Sequence, residues 1–123
     1  MKLGLMVGCL LIASAASAQT PVVGTEQLQW DQGAVSLAQA QSYSYDVQDG
    51  TAAPVAVSPV TCSGAASPFV CSTRLPALTT GLHALAVRAR VVVNGTTLQS
   101  TFSAPLSILM MAIPAIPQNV RIG

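Results

Sequence analysis

The stretch GLHALAVRA, residues 81–89, holds the only histidine in the chain, His83. An imidazole can act as a base, a metal ligand or a hydrogen-bonding prop, and the groups gathered around it decide which. Base catalysis needs a nucleophile within reach and a third group to orient the ring. The candidates beyond the first 20 residues are few: two of the three cysteines, Cys62 and Cys71, and four carboxylates, Glu26, Asp31, Asp46 and Asp49. Asp46 and Asp49 are close in sequence, but the strand and turn that carry them point them in different directions. No His/Cys cluster has zinc spacing, no acidic loop has calcium spacing, and the glycines are scattered over turns rather than grouped to cradle a phosphate. The pattern points to a protein that is not an enzyme and uses no cofactor or metal.

The 123 residues amount to one domain, and the first of them belong to a different problem. MKLGLMVGCLLIASAASAQT has a basic Lys2, an apolar run from Leu3 to Ile12, and Ala16-Ser17-Ala18 in the small-x-small form that signal peptidase accepts. Residues 1–18 are therefore expected to be a cleavable signal peptide, too short in its apolar run to stay in a bilayer. A lipoprotein signal with Cys9 as the modified residue is the alternative. Without the leader, four arginines (Arg74, Arg88, Arg90, Arg121) balance the four carboxylates, so the net charge is zero. No basic patch remains to follow a phosphate backbone, which argues against nucleic acid. After cleavage nothing argues for membrane attachment. Cys62 and Cys71, an even count in an exported small domain, are expected to form a disulfide, and so to report a secreted or periplasmic location. Closing so short a loop contributes about 2.5–3 kcal/mol on the chain-entropy account.

The elements that must position these groups are strands. Helical periodicity is nearly absent, and period-two alternation recurs between turn signals, which predicts an all-β sandwich. TEQLQW puts Glu26, Leu28 and Trp30 on one face, and SYSYDVQDG puts Tyr43, Tyr45 and Val47 together before a turn at Asp49-Gly50. PVAVSPV carries Pro54 and Pro59 and is expected at a sheet edge. The clearest unit is LHALAVRARVVVNGTTLQSTF. Asn94-Gly95 predicts a two-residue hairpin turn, with Val93 opposite Thr96, Val91 opposite Leu98, Ala89 opposite Ser100 and Val87 opposite Phe102. His83, Leu85, Val87, Ala89 and Val91 then face the core, while Ala84, Ala86, Arg88 and Arg90 face out. Trp30, Tyr45, Leu85, Val87 and Phe102 are expected to form one core cluster. Asn94-Gly95-Thr96 also fits a glycosylation pattern, but a hairpin tip explains it without modification.

In order and spacing these residues resemble a fibronectin type III domain, an immunoglobulin-like β-sandwich. The resemblance rests on Leu28-x-Trp30, on Tyr43-x-Tyr45-x-Val47, on His83-x-Leu85-x-Val87-x-Ala89 and on a closing Ser103-x-Pro105-Leu106-Ser107. It covers roughly residues 25–110 and places the domain at 19–113, followed by a Pro-containing tail at 114–123. It implies a structural corner at His83, where that family has a tyrosine bonded to backbone just upstream. Two departures stand out. Little chain precedes TEQLQW to make the family's first strand, so that strand is expected to leave an edge unpaired. PAIPQNVRIG resembles the first strand of a following module.

Arg88 and Arg90 are expected to project from one sheet face beside the strand that carries Asp46 outward. They would form either an exposed ion pair with Asp46, worth a few tenths of a kcal/mol, or a ligand-contact face for an anion or acidic glycan. The functional expectation is a non-catalytic binding, adhesion or spacer module with a protein or carbohydrate ligand. The alternative is an assembly subunit that polymerises head to tail by strand exchange through its C-terminal segment.

Overall fold

The computed structural model describes residues 19–123. The signal-peptide expectation, with Cys9, lies outside them. The chain runs β1 (Thr20–Val22), β2 (Gln27–Gln32), α1 (Leu37–Ser42), β3 (Ser44–Asp49), β4 (Val55–Val57), β5 (Thr61–Ser63), β6 (Phe69–Arg74), β7 (Gly81–Val93), β8 (Thr96–Gln99) and β9 (Leu106–Met110). Among the described residues the chain is all-β apart from one short helix. One sheet has the order β1-β9-β7-β3-β4 with β8 also on β7, and the other has the order β2-β6-β5. A single core lies between them: Leu28, Phe69 and Cys71 come from the small sheet, and Val22, Tyr45, Val47, Leu85, Val87, Ile108 and Met110 from the large one.

Alternation explains most of the placement. Leu28 is buried between exposed Gln27 and Gln29. Tyr45 and Val47 lie opposite Ala89 and Val87 on the inner face of the large sheet. PVAVSPV supplies β4, which pairs only with β3 at the sheet edge. The β7–β8 hairpin turns at Asn94 and Gly95, both at positive φ (51° and 78°), and holds Val93 opposite Thr96 and Val91 opposite Leu98.

Beyond Ser100 the expected register fails, in two steps. Ser100 still bonds Ala89, through its N–H to the Ala89 carbonyl at 2.9 Å. Val87, however, meets Ser103 rather than Phe102: Ser103 N–H donates to the Val87 carbonyl at 2.9 Å, and Val87 N–H donates to Ser103 Oγ at 3.0 Å. By β9 the pairing is Leu85 with Leu106. The returning strand has thus taken up one extra residue between Ser100 and Ser103 and a second between Ser103 and Leu106, the latter span containing Pro105, which has no N–H to give the ladder. Phe102 is displaced from the core to the outer face, where its ring lies under Arg88.

Two further elements differ from expectation. The helix α1 joins β2 to β3; Ser36 Oγ accepts from Gln39 N–H at 3.1 Å, and Gln39 Oε1 accepts from Val35 N–H at 2.8 Å. This is a close relative of the reciprocal capping box. A first strand does exist, but it is short and pairs in parallel with β9 rather than beside β2. After β9 no regular element follows, and residues 111–123 are all exposed.

Candidate functional site

The chemistry-bearing side chains fall into three groups, all positioned by β3 and β7. The first is the end of the sheet where Asp49 pairs with Leu85. Opposed residues in an antiparallel ladder share a face, so Asp49 sits beside His83 on the inner face. Nδ1 of His83 donates to Asp49 Oδ2 at 2.5 Å and Nε2 to the Thr79 carbonyl at 2.6 Å. Asp49 Oδ1 also accepts from Ala84 N–H at 3.2 Å. The Thr79 carbonyl, and then the Asp49 carboxylate, favour the imidazolium and raise the His83 pKa above its ordinary value, against a smaller opposing effect of burial. A ring with both nitrogens donating has none free to take a nucleophile's proton. His83 thus ties the loop before β7 to the turn after β3, and the upstream backbone bond lies where the corner was expected. Asp49 as its second partner was missed. The clue was the β3–β7 register, which sequence alternation alone does not supply.

The second group is the staple and its surroundings. Cys62 and Cys71 are direct cross-strand partners on β5 and β6, with their sulfurs at bonding distance and Cα atoms 4.0 Å apart. That is closer than the usual ~4.4–6.8 Å because the two residues face each other across one ladder. Tyr45 packs over this region, and its hydroxyl donates to the Ala40 carbonyl at 2.7 Å. Burial, with Tyr43 nearby, pushes the Tyr45 phenol up to about 12, so it remains a donor. Gln41 of α1 spans to β5, its Nε2 donating to the Val60 carbonyl and its Oε1 accepting from Cys62 N–H at 2.8 Å. Trp30 packs against Tyr45 with the rings tilted by 58° and 5.1 Å between centroids, is half-buried, and its Nε1 has no acceptor among the described residues. Of the expected core cluster, Tyr45, Leu85 and Val87 lie in the core and Trp30 packs against it, while Phe102 does not join them.

The third group lies on the outer face of the large sheet. Asp46 pairs with Arg88, and Ser44 with Arg90. The Nε of Arg88 donates to Asp46 Oδ2 at 2.9 Å, and the Nε of Arg90 donates to the same oxygen at 2.8 Å. The ion pair is present, but the exposed site expected for it is not: Asp46 is only 4% exposed. The reason is cover, because both arginines lie across the carboxylate and Phe102 lies 4.8 Å from the Arg88 guanidinium carbon. Burial alone would raise the Asp46 pKa, yet the hydrogen bonds from Arg90 and Arg88 outweigh it and hold the carboxyl below its ordinary value.

Two guanidiniums thus share one carboxylate oxygen, which leaves a surplus positive charge. Among the described residues their terminal amino groups have no protein partner. Arg90 and Tyr43 together line two clefts, of about 390 Å³ and about 200 Å³. Ser44 and Ser58 add hydroxyls to the larger, and Gln32 and Gln99 add amides to the smaller. Such a set can hold an anion by charge-assisted hydrogen bonds and present an aromatic ring beside it. Among the described residues no three His, Cys, Asp or Glu side chains converge, and no helix is long and apolar enough to cross a membrane.

Among the described residues the fold is two sheets around one core with one disulfide. No family, no curated protein and no solved structure matches the chain.

Proposed function

We propose that this chain is an exported, non-catalytic binding, adhesion or spacer module with a fibronectin type III-like sandwich. Its ligand face is the outer surface of β3 and β7 around Arg88 and Arg90. The observation that carries the reading is the two-to-one ratio of guanidiniums to carboxylate on that face. A pair built only for stability needs one arginine. The second guanidinium, beside Tyr43 and two clefts, suits the carboxylate or sulfate of an acidic protein or glycan. The cysteine pair and the N-terminal leader support an oxidising, extracytoplasmic location.

The test is binding to matched acidic and neutral oligosaccharide and peptide arrays by the native chain and by a variant with Arg88→Gln and Arg90→Gln. Acidic ligands should be preferred, and the preference should fall with added salt and vanish in the variant. Equal binding by both proteins would sink the reading. Sequencing of the exported protein should begin at Gln19.

A further inference from the structure

The small sheet has an open side. Leu75 N–H donates to the Glu26 carbonyl at 3.2 Å, which sets the phase of the β2–β6 ladder. Glu26, Leu28, Trp30 and Gln32 therefore turn their backbone groups toward β6, and Gln27, Gln29 and Asp31 turn theirs away. Among the described residues no strand lies on that side, because the order is β2-β6-β5 and β1 is committed to β9. At six residues, β2 is the longest of the edge strands, and it contains no proline. The edge strands β1 and β4 have three residues each, with Pro21 inside β1 and Pro54 just before β4. Those edges are blunted in the usual way, and β2 is not.

A matching segment lies elsewhere on the same molecule. Val120 is 90% exposed and Ile122 100%, and they alternate with Asn119 and Arg121. Two large apolar side chains on one side of an extended segment, with polar ones on the other, suit a strand with one face covered. The segment does not cover its own β2. Met111 N–H bonds the Val22 carbonyl beside β1, and every residue beyond it is exposed.

We propose that residues 118–122 of a second copy of this chain add as a strand to the open edge of β2. Charge selects the register. Asp31 and Arg121 are both exposed and have no ionic partner among the described residues. Setting Arg121 opposite Asp31 on the outer face places Val120 or Ile122 beside Trp30 on the inner face, whichever way the strand runs. Asn119, at a φ of 54° in the unpaired segment, extends on pairing. The added backbone satisfies Gln27, Gln29 and Asp31 and covers apolar side chains that otherwise face water. Because tail and edge are different surfaces, the contact is heterologous and propagates into open chains unless the rotation closes a ring. It uses neither Arg88 nor Arg90, so it stands or falls apart from the ligand face.

The experiment is light scattering across a concentration series on the purified full chain and three variants. The native chain should grow in mass with concentration. Val120→Asn should stay monomeric. Asp31→Lys and Arg121→Glu should each weaken association by about two- to five-fold or more, the range of an exposed pair. The two together should restore it, which no folding defect would do. A native chain that stays monomeric at millimolar concentration overturns the proposal. So does a double swap no better than its parents, or a Val120→Asn variant that associates as well as the native chain.

Discussion

Replacing Asp46 by Asn tests the cluster on the outer face most directly, because the shape is kept and only the charge is lost. The amide oxygen can still accept from the Nε groups of Arg88 and Arg90, now bonded to Oδ2 at 2.9 and 2.8 Å. A hydrogen bond to a charged partner contributes about 1.5–3 kcal/mol and a neutral one about 0.5–1.5 kcal/mol. Both arginine side chains are about a quarter exposed, at 23% and 27%, so water screens part of the difference. A loss of roughly 0.5–1 kcal/mol per bond remains, or about 1–2 kcal/mol in all. At about 4–8 °C per kcal/mol for a domain of this size, the melting temperature should fall by about 4–16 °C at pH 7.

The sign of the pH dependence follows from the same contacts. The folded-state pKa of Asp46 is depressed. Its contribution is therefore complete above the unfolded-state value, near 3.8, and is lost as pH falls through the folded-state value. Urea unfolding of the native chain and of Asp46→Asn, from pH 7 down to pH 2, should give curves that converge below about pH 4. Two curves that run parallel into acid, or a variant as stable as the native chain at pH 7, would refute the reasoning.

Three other expectations follow from the inner groups. The raised pKa of His83 means its contribution is complete below the ordinary value of 6.5 and is lost as pH rises through the folded-state value. An NMR titration should place the midpoint above 6.5, and His83→Ala should flatten the decline of stability above it. Trp30→Ala should cost about 3 kcal/mol by chemical denaturation, the low end of the range for large aromatics, because the ring is half-buried rather than enclosed. Reduction of Cys62–Cys71 should lower stability by about 2.5–3 kcal/mol while circular dichroism still reports β-sheet.

What could be seen in the sequence was what local chemistry controls. Asn94-Gly95 set the hairpin and the first pairs beyond it, and alternation placed Leu28, Tyr45 and Val47 inside. The helix escaped notice because six residues are too few for a 3.6-residue period to show, although Ser36-x-x-Gln39 was a readable capping signal. Phe102 was misplaced because extending the register assumed an unbroken ladder through Ser100–Pro105. Asp49 and His83 are 34 residues apart and meet only through the β3–β7 register. Asp46 was assigned to the right partners and the wrong environment. Alternation says which face a side chain takes, but not that two arginines, one of them against Phe102, will lie across it.

That cover is the strongest physical reason to regard the outer face as more than solvated surface. Ties from the strands hold the inner layer: Tyr45 to Ala40 of the helix, His83 to Thr79 of the loop before β7, and Cys62 to Cys71 across β5 and β6. None of them needs Asp46. An acid placed on the solvent side of a sheet costs least when water reaches it, and burying it gives up hydration that its partners must repay. Here the repayment uses two arginines where one would neutralise the charge, and an aromatic ring lies against one of them. Their Nε groups are fixed on Asp46 Oδ2, which removes much of the rotational freedom that a surface arginine would lose on binding. The carboxylate thus anchors both guanidiniums, and of the two it is Arg90 that lines the clefts beside Tyr43.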